Sequence, residues 1–533
     1  MLNSRNILFF FISAALVPAL LPAQRTRGEP ADTRPLVAIL PIDSTPGDSA
    51  RTIIQRDLDY GDRVVPVYLD PGLASSVGPR GSDIINYSFL APTRATSLIR
   101  AVPIPAGYRV GLHDVSLGYV RQSADFRVPR VPARRAALVR DSLARDFFTR
   151  DSIARMALWR DSLLIDSLAR EAAKPVKISR LHRKRDRLRA DSVAAVRAVI
   201  RRQIQARDSV IRLIVRRDRI RNDSVLPVLL RRDSLLRDSL IIENRLAIHG
   251  MADEIERWLT GTRGTAQTRV AYVAAGKLRV VDSDGANDHI VRTPGAVLSP
   301  SWHPSGRKIV YADFNDNGTQ IAQVDLHGNW QLLSQSRRGF NITPVYTPDG
   351  RSIVWSRGGD YFADLVVASA TDSSPARSLT GGSEFENTSP AFSPDGRLAF
   401  VSPRPGLTPQ IYSMFAEGGA ARPLIPIPSG IRSYRTSPSW APTGGAIAYQ
   451  QQEGDFQVYM MDLLTRSLRR LTSYRENEDP SFAPDGRHMS ITSTRGGPRQ
   501  IWVLDSRTAR FRQLTTTPDG RLSDWSPITR PLF

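Results

Sequence analysis

The sequence predicts a multi-domain chain: a six-bladed β-propeller, preceded by a small α/β domain that carries a long basic α-helical insertion. Three observations predict it. A nine-residue motif recurs through the second half of the chain, mixed strand and helix patterns fill residues 35–128, and a run of Arg-Asp-Ser-Leu units lies between them.

The motif sets the architecture. Copies begin at Ser299 (SPSWHPSGR), Thr343 (TPVYTPDGR), Ser389 (SPAFSPDGR), Ser437 (SPSWAPTGG) and Asp479 (DPSFAPDGR), and a truncated copy spans Leu522–Pro527. Their starts are 42 to 48 residues apart, the period of a propeller blade. In each copy an aromatic (Trp302, Tyr346, Phe392, Trp440, Phe482, Trp525) ends one short strand and offers a large apolar face. Pro-Asp-Gly or a near relative then makes a turn, Pro fixing φ and Gly tolerating positive φ. Further β-rich runs follow, such as Lys308–Tyr311, Gln457–Tyr459 and a fourth ending in Leu-Thr (Leu379-Thr380, Leu471-Thr472, Leu514-Thr515). Four short strands per period read as propeller blades. The last copy stops after its first strand, while Arg269–Val273 and Leu278–Val281 precede the first copy without an aromatic turn of their own. The tail therefore completes the blade that the leading strands begin, which gives six.

Ahead of the propeller, Leu36–Ile42 is a continuous apolar run suited to a buried strand. Residues 49–60 carry Ile53, Ile54 and Leu58 at helical spacing. Strand patterns return at 64–69, 97–102, 108–115 and 117–128, and a helix from Glu243 to Thr260 ends at Gly261. The expected divisions are residues 35–128 with 243–262 for the α/β domain, 129–242 for the insertion and 265–533 for the propeller. Residues 1–23 have a basic start at Arg5, an apolar run from Ile7 and small residues at Ala19 and Ala23, the pattern of a secretory signal peptide. Residues 24–34 form a short extension. No later apolar run is long enough to span a bilayer.

The insertion concentrates the charge. Of a net +21 for the chain, residues 130–245 hold about +16, from about 30 Lys/Arg against about 14 Asp/Glu. Asp precedes Arg by four residues at 141/145, 146/150, 151/155, 166/170, 208/212 and 233/237, each pair adding about 0.2–0.5 kcal/mol to a helix. Glycine is absent, and Pro175 and Pro227 divide the stretch into helices of 133–173, 177–225 and 228–259. Apolar residues recurring every five positions wind around such helices, so a heptad coiled coil is not supported. The densest uncompensated charge is Arg183, Lys184, Arg185 and Arg187, candidates for an anionic partner: an envelope polymer, an anionic lipid or an acidic protein. A solvated helical arm without a ligand is the plainer reading. Nucleic acid is not expected for an exported chain.

Chemistry is sparse. There is no cysteine, which excludes disulfides and thiolate sites. Asp313–Gly318 imitates the first half of a calcium loop, but the closing carboxylate falls on Val324, so it reads as a hairpin turn. The seven histidines show no ligand spacing, and Gly-x-Ser-x-Gly and phosphate-binding glycine loops are absent. No catalytic, cofactor or metal residue is assigned. Loop residues ahead of successive aromatic turns, namely Arg337, Arg338, Phe340, Glu384, Glu386, Arg432, Tyr434, Arg475 and Glu478, share one expected face and form the candidate partner surface.

The propeller repeats, the strand Arg34–Pro41, and His249-Gly-Met-Ala-Asp-Glu-Ile255 followed by Leu259-Thr-Gly261 and Arg269–Val273 resemble the TolB family. The resemblance implies a non-enzymatic periplasmic protein of the Tol–Pal cell-envelope system, serving envelope integrity and cell division. It implies that the propeller docks a peptidoglycan-associated lipoprotein and that an amino-terminal extension is bound by an inner-membrane partner. Residues 24–35 depart from this pattern, lacking the alternate apolar side chains that strand addition needs. Two other readings stay open: an exported propeller binding peptide or polysaccharide outside that system, and a polysaccharide lyase or hydrolase with an acid/base or metal cluster in its channel.

Overall fold

The computed structural model describes residues 33–42, 49–78, 83–129 and 226–528, with short gaps in the last span, and isolated positions between 167 and 216. Apart from those isolated positions, the expected signal peptide, the extension up to residue 32 and the helices 133–173 and 177–225 lie outside the described residues, as do Arg183, Lys184, Arg185 and Arg187.

The first body is a five-stranded sheet of β1 (Leu36–Ile39), β2 (Val65–Val67), β3 (Ser97–Ile104), β4 (Gly107–Asp114) and β5 (Tyr119–Arg127), in the order β2-β1-β3-β4-β5. β1 runs parallel to both neighbours, and β3, β4 and β5 form an antiparallel meander. Helix α1 (Ser49–Tyr60) and the carboxyl half of a later helix, α3 (Leu226–Thr260), cover one face. Ile53, Ile54 and Leu58 pack there with Met251, Ala252 and Ile255 against Ile39, Ile99 and Leu112. The opposite face is covered by α2 (Pro71–Val77) and a 3-10 turn (Tyr87–Thr93), through Ala74, Val77 and Leu90. Asp70 starts α2 by accepting the N–H groups of Gly72 and Leu73, each at 2.9 Å, with Pro71 in the first turn. In α3, Pro227 likewise sits in the first turn, where its missing N–H has no partner to lose.

Six four-stranded sheets follow. They comprise β6 (Arg269–Ala274), β7 (Lys277–Asp282) and β8 (His289–Ile290); β9 (Ala296–Trp302), β10 (Lys308–Asn315), β11 (Gly318–Asp325) and β12 (Trp330–Leu332); β13 (Asn341–Tyr346), β14 (Ser352–Gly358), β15 (Ala363–Ser369) and β16 (Arg377–Ser378). Next come β17 (Thr388–Phe392), β18 (Arg397–Ser402), β19 (Gln410–Phe415) and β20 (Arg422–Pro423); β21 (Arg435–Trp440), β22 (Ala446–Glu453), β23 (Asp455–Asp462) and β24 (Leu468–Arg470); β25 (Asn477–Phe482), β26 (His488–Ser493), β27 (Gln500–Asp505), β28 (Phe511–Gln513) and finally β29 (Arg521–Trp525). The last blade has the order β29-β6-β7-β8, so the carboxyl-terminal strand is its inner strand and closes the ring. The result is a six-bladed β-propeller preceded by a small α/β body.

Closure is a set of specific bonds. Arg521, Asp524 and Trp525 pair with Val273, Ala271 and Val270. The buried Trp525 indole donates to Thr268 Oγ1 at 2.8 Å. The Asp524 carboxylate accepts from the Trp302 N–H (2.7 Å) in the first blade and the Ser481 hydroxyl (2.9 Å) in the fifth. The motif aromatics pack between neighbouring sheets as expected of them, and two more indoles reach the adjacent inner strand: Trp302 to Asp524 O and Trp440 to Ala391 O, both at 3.1 Å. At the turns, Asp349 Oδ1 accepts the Thr347 hydroxyl and the Arg351 N–H, while Gly350 takes a φ of 72°.

One feature is common to all six inner strands. The first motif residue, Ser299, Thr343, Ser389, Ser437, Asp479 or Leu522, has φ between 46° and 54°, and the ladder slips at the same place. The slip is a β-bulge, which bends each inner strand toward the axis. Proline follows five of these residues and has no N–H to give the ladder, yet Leu522-Ser523 keeps the bend without it.

Candidate functional site

Three surfaces of the propeller carry side chains with chemical potential. The first is the face formed by the connections into each inner strand and by the turns between second and third strands, which antiparallel pairing brings to the same end. Phe340, Glu384, Glu386, Tyr434, Arg475 and Glu478 all lie there. Arg337, Arg338 and Arg432 lie outside the described residues. Phe340 is exposed, and its carbonyl accepts the Gly358 N–H at 2.7 Å. Glu386 bridges to Ala363, Tyr434 packs edge-on to Phe456, and Arg475 lies over the Tyr474 ring. Arg499 reaches Glu476 (3.1 Å) and Glu478 (3.3 Å), and burial followed by the neighbouring Asp479 pushes the Glu478 carboxyl up. Exposed Phe314, Phe362 and Tyr474 add to this face. Aromatic and arginine side chains are the types that dominate protein-binding surfaces.

The second surface is the axial channel, about 650 Å³, lined by the motif residues from the bulge to the turn proline in every blade. Its wall presents Ser299, Thr343, Ser389 and Ser437 in four blades, with Asp479 and Leu522 in the other two. None of the candidate loop residues lines it. Asp479 ties three blades together, accepting at 3.3 Å from Ser437 Oγ, Thr492 Oγ1 and Leu522 N, and burial pushes its carboxyl up. Burial likewise raises Asp524 to about 6.

The third is the seam where the α/β body sits on the opposite face, against the fifth and sixth blades. His249 is buried, with Nδ1 2.6 Å from Asp57 Oδ2 and Nε2 3.7 Å from Asp284 Oδ2. Burial works to lower its pKa, but Asp57 and then Asp284 outweigh it and raise it, while burial raises Asp57 in turn. Arg56 and Arg245 both grip Asp284. A second knot joins Arg63 to Glu256 (2.7 Å) and Asp485 (3.0 Å), His488 to Asp485 (2.7 Å), Arg510 to Asp62 (2.6 Å), and Arg487 to Asp505 (2.9 Å). Asp57, His249 and Asp284, and Asp62, His488 and Asp505, bring ligand-type atoms within 4.8 Å. Guanidinium groups already pair with Asp284, Asp62 and Asp505, and Asp57 is paired with the His249 imidazole, which marks both triads as ion-pair networks. These networks carry little mark in the sequence, since key pairs join distant residues, His249 with Asp57 across 192 positions and Arg63 with Asp485 across 422.

A closed propeller with an α/β body fixed to one face and an aromatic loop surface on the other defines a two-domain protein built to present surfaces. Comparison with known proteins narrows the class. A family profile described as the TolB beta propeller domain matches residues 256–529, and the chain belongs to that family. The Tol-Pal system proteins TolB of Bordetella pertussis and Bordetella bronchiseptica are each 31% identical to it over 296 residues. That alignment takes in 54% of this chain and 66% of those proteins, so the chain spans just under two thirds of their length. The crystal structure of TolB from Acinetobacter baumannii shares the fold along 93% of this chain and 97% of that one, with a TM-score of 0.61 at 18% identity.

Proposed function

We propose that the protein is a non-enzymatic scaffold of the Tol–Pal type, exported to the periplasm, that docks envelope proteins through its propeller. The partner expected by chemistry and kinship is a peptidoglycan-associated lipoprotein, and the role is in envelope integrity and cell division. The observation that carries the reading is the combination of family membership over the propeller with a TolB-like fold along nearly the whole chain, α/β body included. The aromatic and arginine loop face, with Phe340, Tyr434 and Arg475, supports a protein ligand over a small molecule. In this reading the chain divides into the α/β body of 35–128 with 243–262, the arm of 129–242 and the propeller of 265–533. No described helix is long and apolar enough to cross a membrane. The test is capture from envelope extracts of the source cells by the full chain and by a Phe340→Ala/Tyr434→Ala variant. Recovery of the lipoprotein by the parent, and several-fold less by the variant, supports the reading. Recovery of glycan fragments with no protein partner overturns it.

A further inference from the structure

The seam between the two bodies is held together in an unusual way for a domain contact. Every cluster of buried apolar side chains belongs to one body or the other, and among the described residues none spans the boundary. What crosses is charge. Eight ion pairs do so: Arg56, Arg245 and His249 to Asp284, Arg245 to Asp282, Arg63 to Asp485, His488 to Asp62, and Arg510 to both Asp59 and Asp62. Arg487 adds a bond to the Asp62 carbonyl at 3.1 Å. Domain contacts without an apolar core are the ones expected to open. The covalent link is short, running from Gly261, with φ 78° at the end of α3, to Thr268 at the start of the propeller. The Ala266 and Gln267 N–H groups donate to the buried Asp253 of α3 (2.6 and 3.0 Å). The Ala266 carbonyl accepts from Ser283 of the propeller (2.8 Å), a neutral bond that also breaks when the body moves.

We propose that this seam is an ionic latch pinned by the His488 imidazolium, and that loss of that one charge releases the α/β body to swing on its 261–268 tether. His488 is the pin because of what faces it. The turn after α1 contributes Asp59, Asp62 and Arg63, α3 contributes Glu256, its own turn contributes Asp485 and Arg487, and the β27–β28 hairpin contributes Asp505, Arg510 and Arg512. Arg512 also faces Asp57 and Asp284 and lies over the Tyr60 ring, so carboxylates outnumber guanidiniums around His488 and the imidazolium adds positive charge among them. Asp485 is the hub, since it takes both His488 Nδ1 and the Arg63 guanidinium that reaches over from the other body. Removing one member of a buried charge set leaves its partner uncompensated, the expensive outcome.

The direction of the pH response follows. Burial alone would lower the His488 pKa, but its hydrogen bond to Asp485 and the Asp62 carboxylate 3.6 Å from Nε2 raise it to about 9. Its contribution is therefore complete below the unfolded value of about 6.5 and is lost as pH rises through about 9. Asp62, Asp485 and Asp505 are buried, yet bonds to His488, Arg510 and Arg487 hold them below the usual carboxylate range. The latch is thus built to survive acid and to fail in alkali.

The chain has no cysteine, so Ser75→Cys and Ala420→Cys, one exposed site on each body, accept a spin-label pair in the full-length protein. The parent should show one interlabel distance at pH 7 and a second, longer population growing in with a midpoint near pH 9. His488→Gln should show the longer population already at pH 7. Arg510→Gln, at the half-exposed rim, should move the midpoint to lower pH. Near-ultraviolet circular dichroism on the same samples reports whether the propeller stays folded. A single unchanged distance in folded parent from pH 6 to 10 overturns the latch. Should His488→Gln fail to fold, an Arg510→Gln response identical to the parent at every pH overturns it equally.

Discussion

Deleting Leu522–Phe533 removes the only strand that closes the propeller ring among the described residues, and the consequence can be sized. Trp525 is 5% exposed, and loss of a buried tryptophan side chain costs about 3–5 kcal/mol. Asp524 goes with it, leaving the Trp302 N–H and Ser481 hydroxyl without their acceptor, at about 1–3 kcal/mol for a stranded buried donor. The β29–β6 ladder is lost as well, which opens two sheet edges. The sum approaches the whole stability of an ordinary domain, about 5–15 kcal/mol. The truncated propeller should therefore unfold cooperatively, with a loss of near-ultraviolet tryptophan signal at temperatures where the parent is intact. Trp525→Ala alone provides the graded version. At about 2–4 °C per kcal/mol for a domain approaching this size, its melting transition should fall by about 6–20 °C. A truncated protein that melts with the parent would refute the closure argument, because the ring would then be stable as an open set of sheets.

Other perturbations separate the remaining parts of the account. Replacing residues 130–241 by a short Gly/Ser linker should leave both bodies folded, since Val128 and the Ile248 turn of α3 belong to one core; aggregation of that protein while the parent stays soluble would make the arm part of the core. Changing Arg183, Lys184, Arg185 and Arg187 to Gln should remove most salt-sensitive binding to anionic vesicles, because exposed charges more than about 10 Å apart are screened at 0.1 M salt; equal, salt-independent retention by both proteins would leave the arm a solvated spacer. Asp524, raised to about 6 by burial, binds its proton more tightly in the folded chain, so stability attributable to it falls as pH rises from about 4 to 6, by about 3 kcal/mol at most. Asp524→Asn should flatten the melting temperature over that window, and a slope equal to the parent's would remove Asp524 from the account.

Much of this fold is legible in the sequence because the repeat is local. An aromatic, a turn proline and an αL glycine act within nine residues, and five full copies with one truncated copy at a single period define both blade and ring. The α2 helix was equally local, announced by Asp70-Pro71 as cap and first turn, but its seven residues carry too few apolar positions to stand out. The left-handed bulge residues were not legible. Ser, Thr, Asp and Leu all occupy the same strained position, so no residue type marks it, and the bend is imposed by packing around the axis. The seam was illegible for a different reason. Arg487-His488 repeats the turn chemistry of the other blades, where Arg351 is exposed, and only the docked α/β body buries it. The candidate loop residues read as equivalent positions between blades, and such equivalence points to a face of the disk without naming what binds it.

As a docking module for an envelope lipoprotein, the propeller should bind that lipoprotein directly. Calorimetric titration of the full chain with the soluble domain of the peptidoglycan-associated lipoprotein from the same cells tests it most directly. Saturable one-to-one binding, weakened about tenfold or more by Phe340→Ala/Tyr434→Ala as expected for aromatic anchors worth 1.4 kcal/mol or more in sum, is the predicted result. Absence of binding by a folded parent, with every tryptophan signal intact, would contradict it.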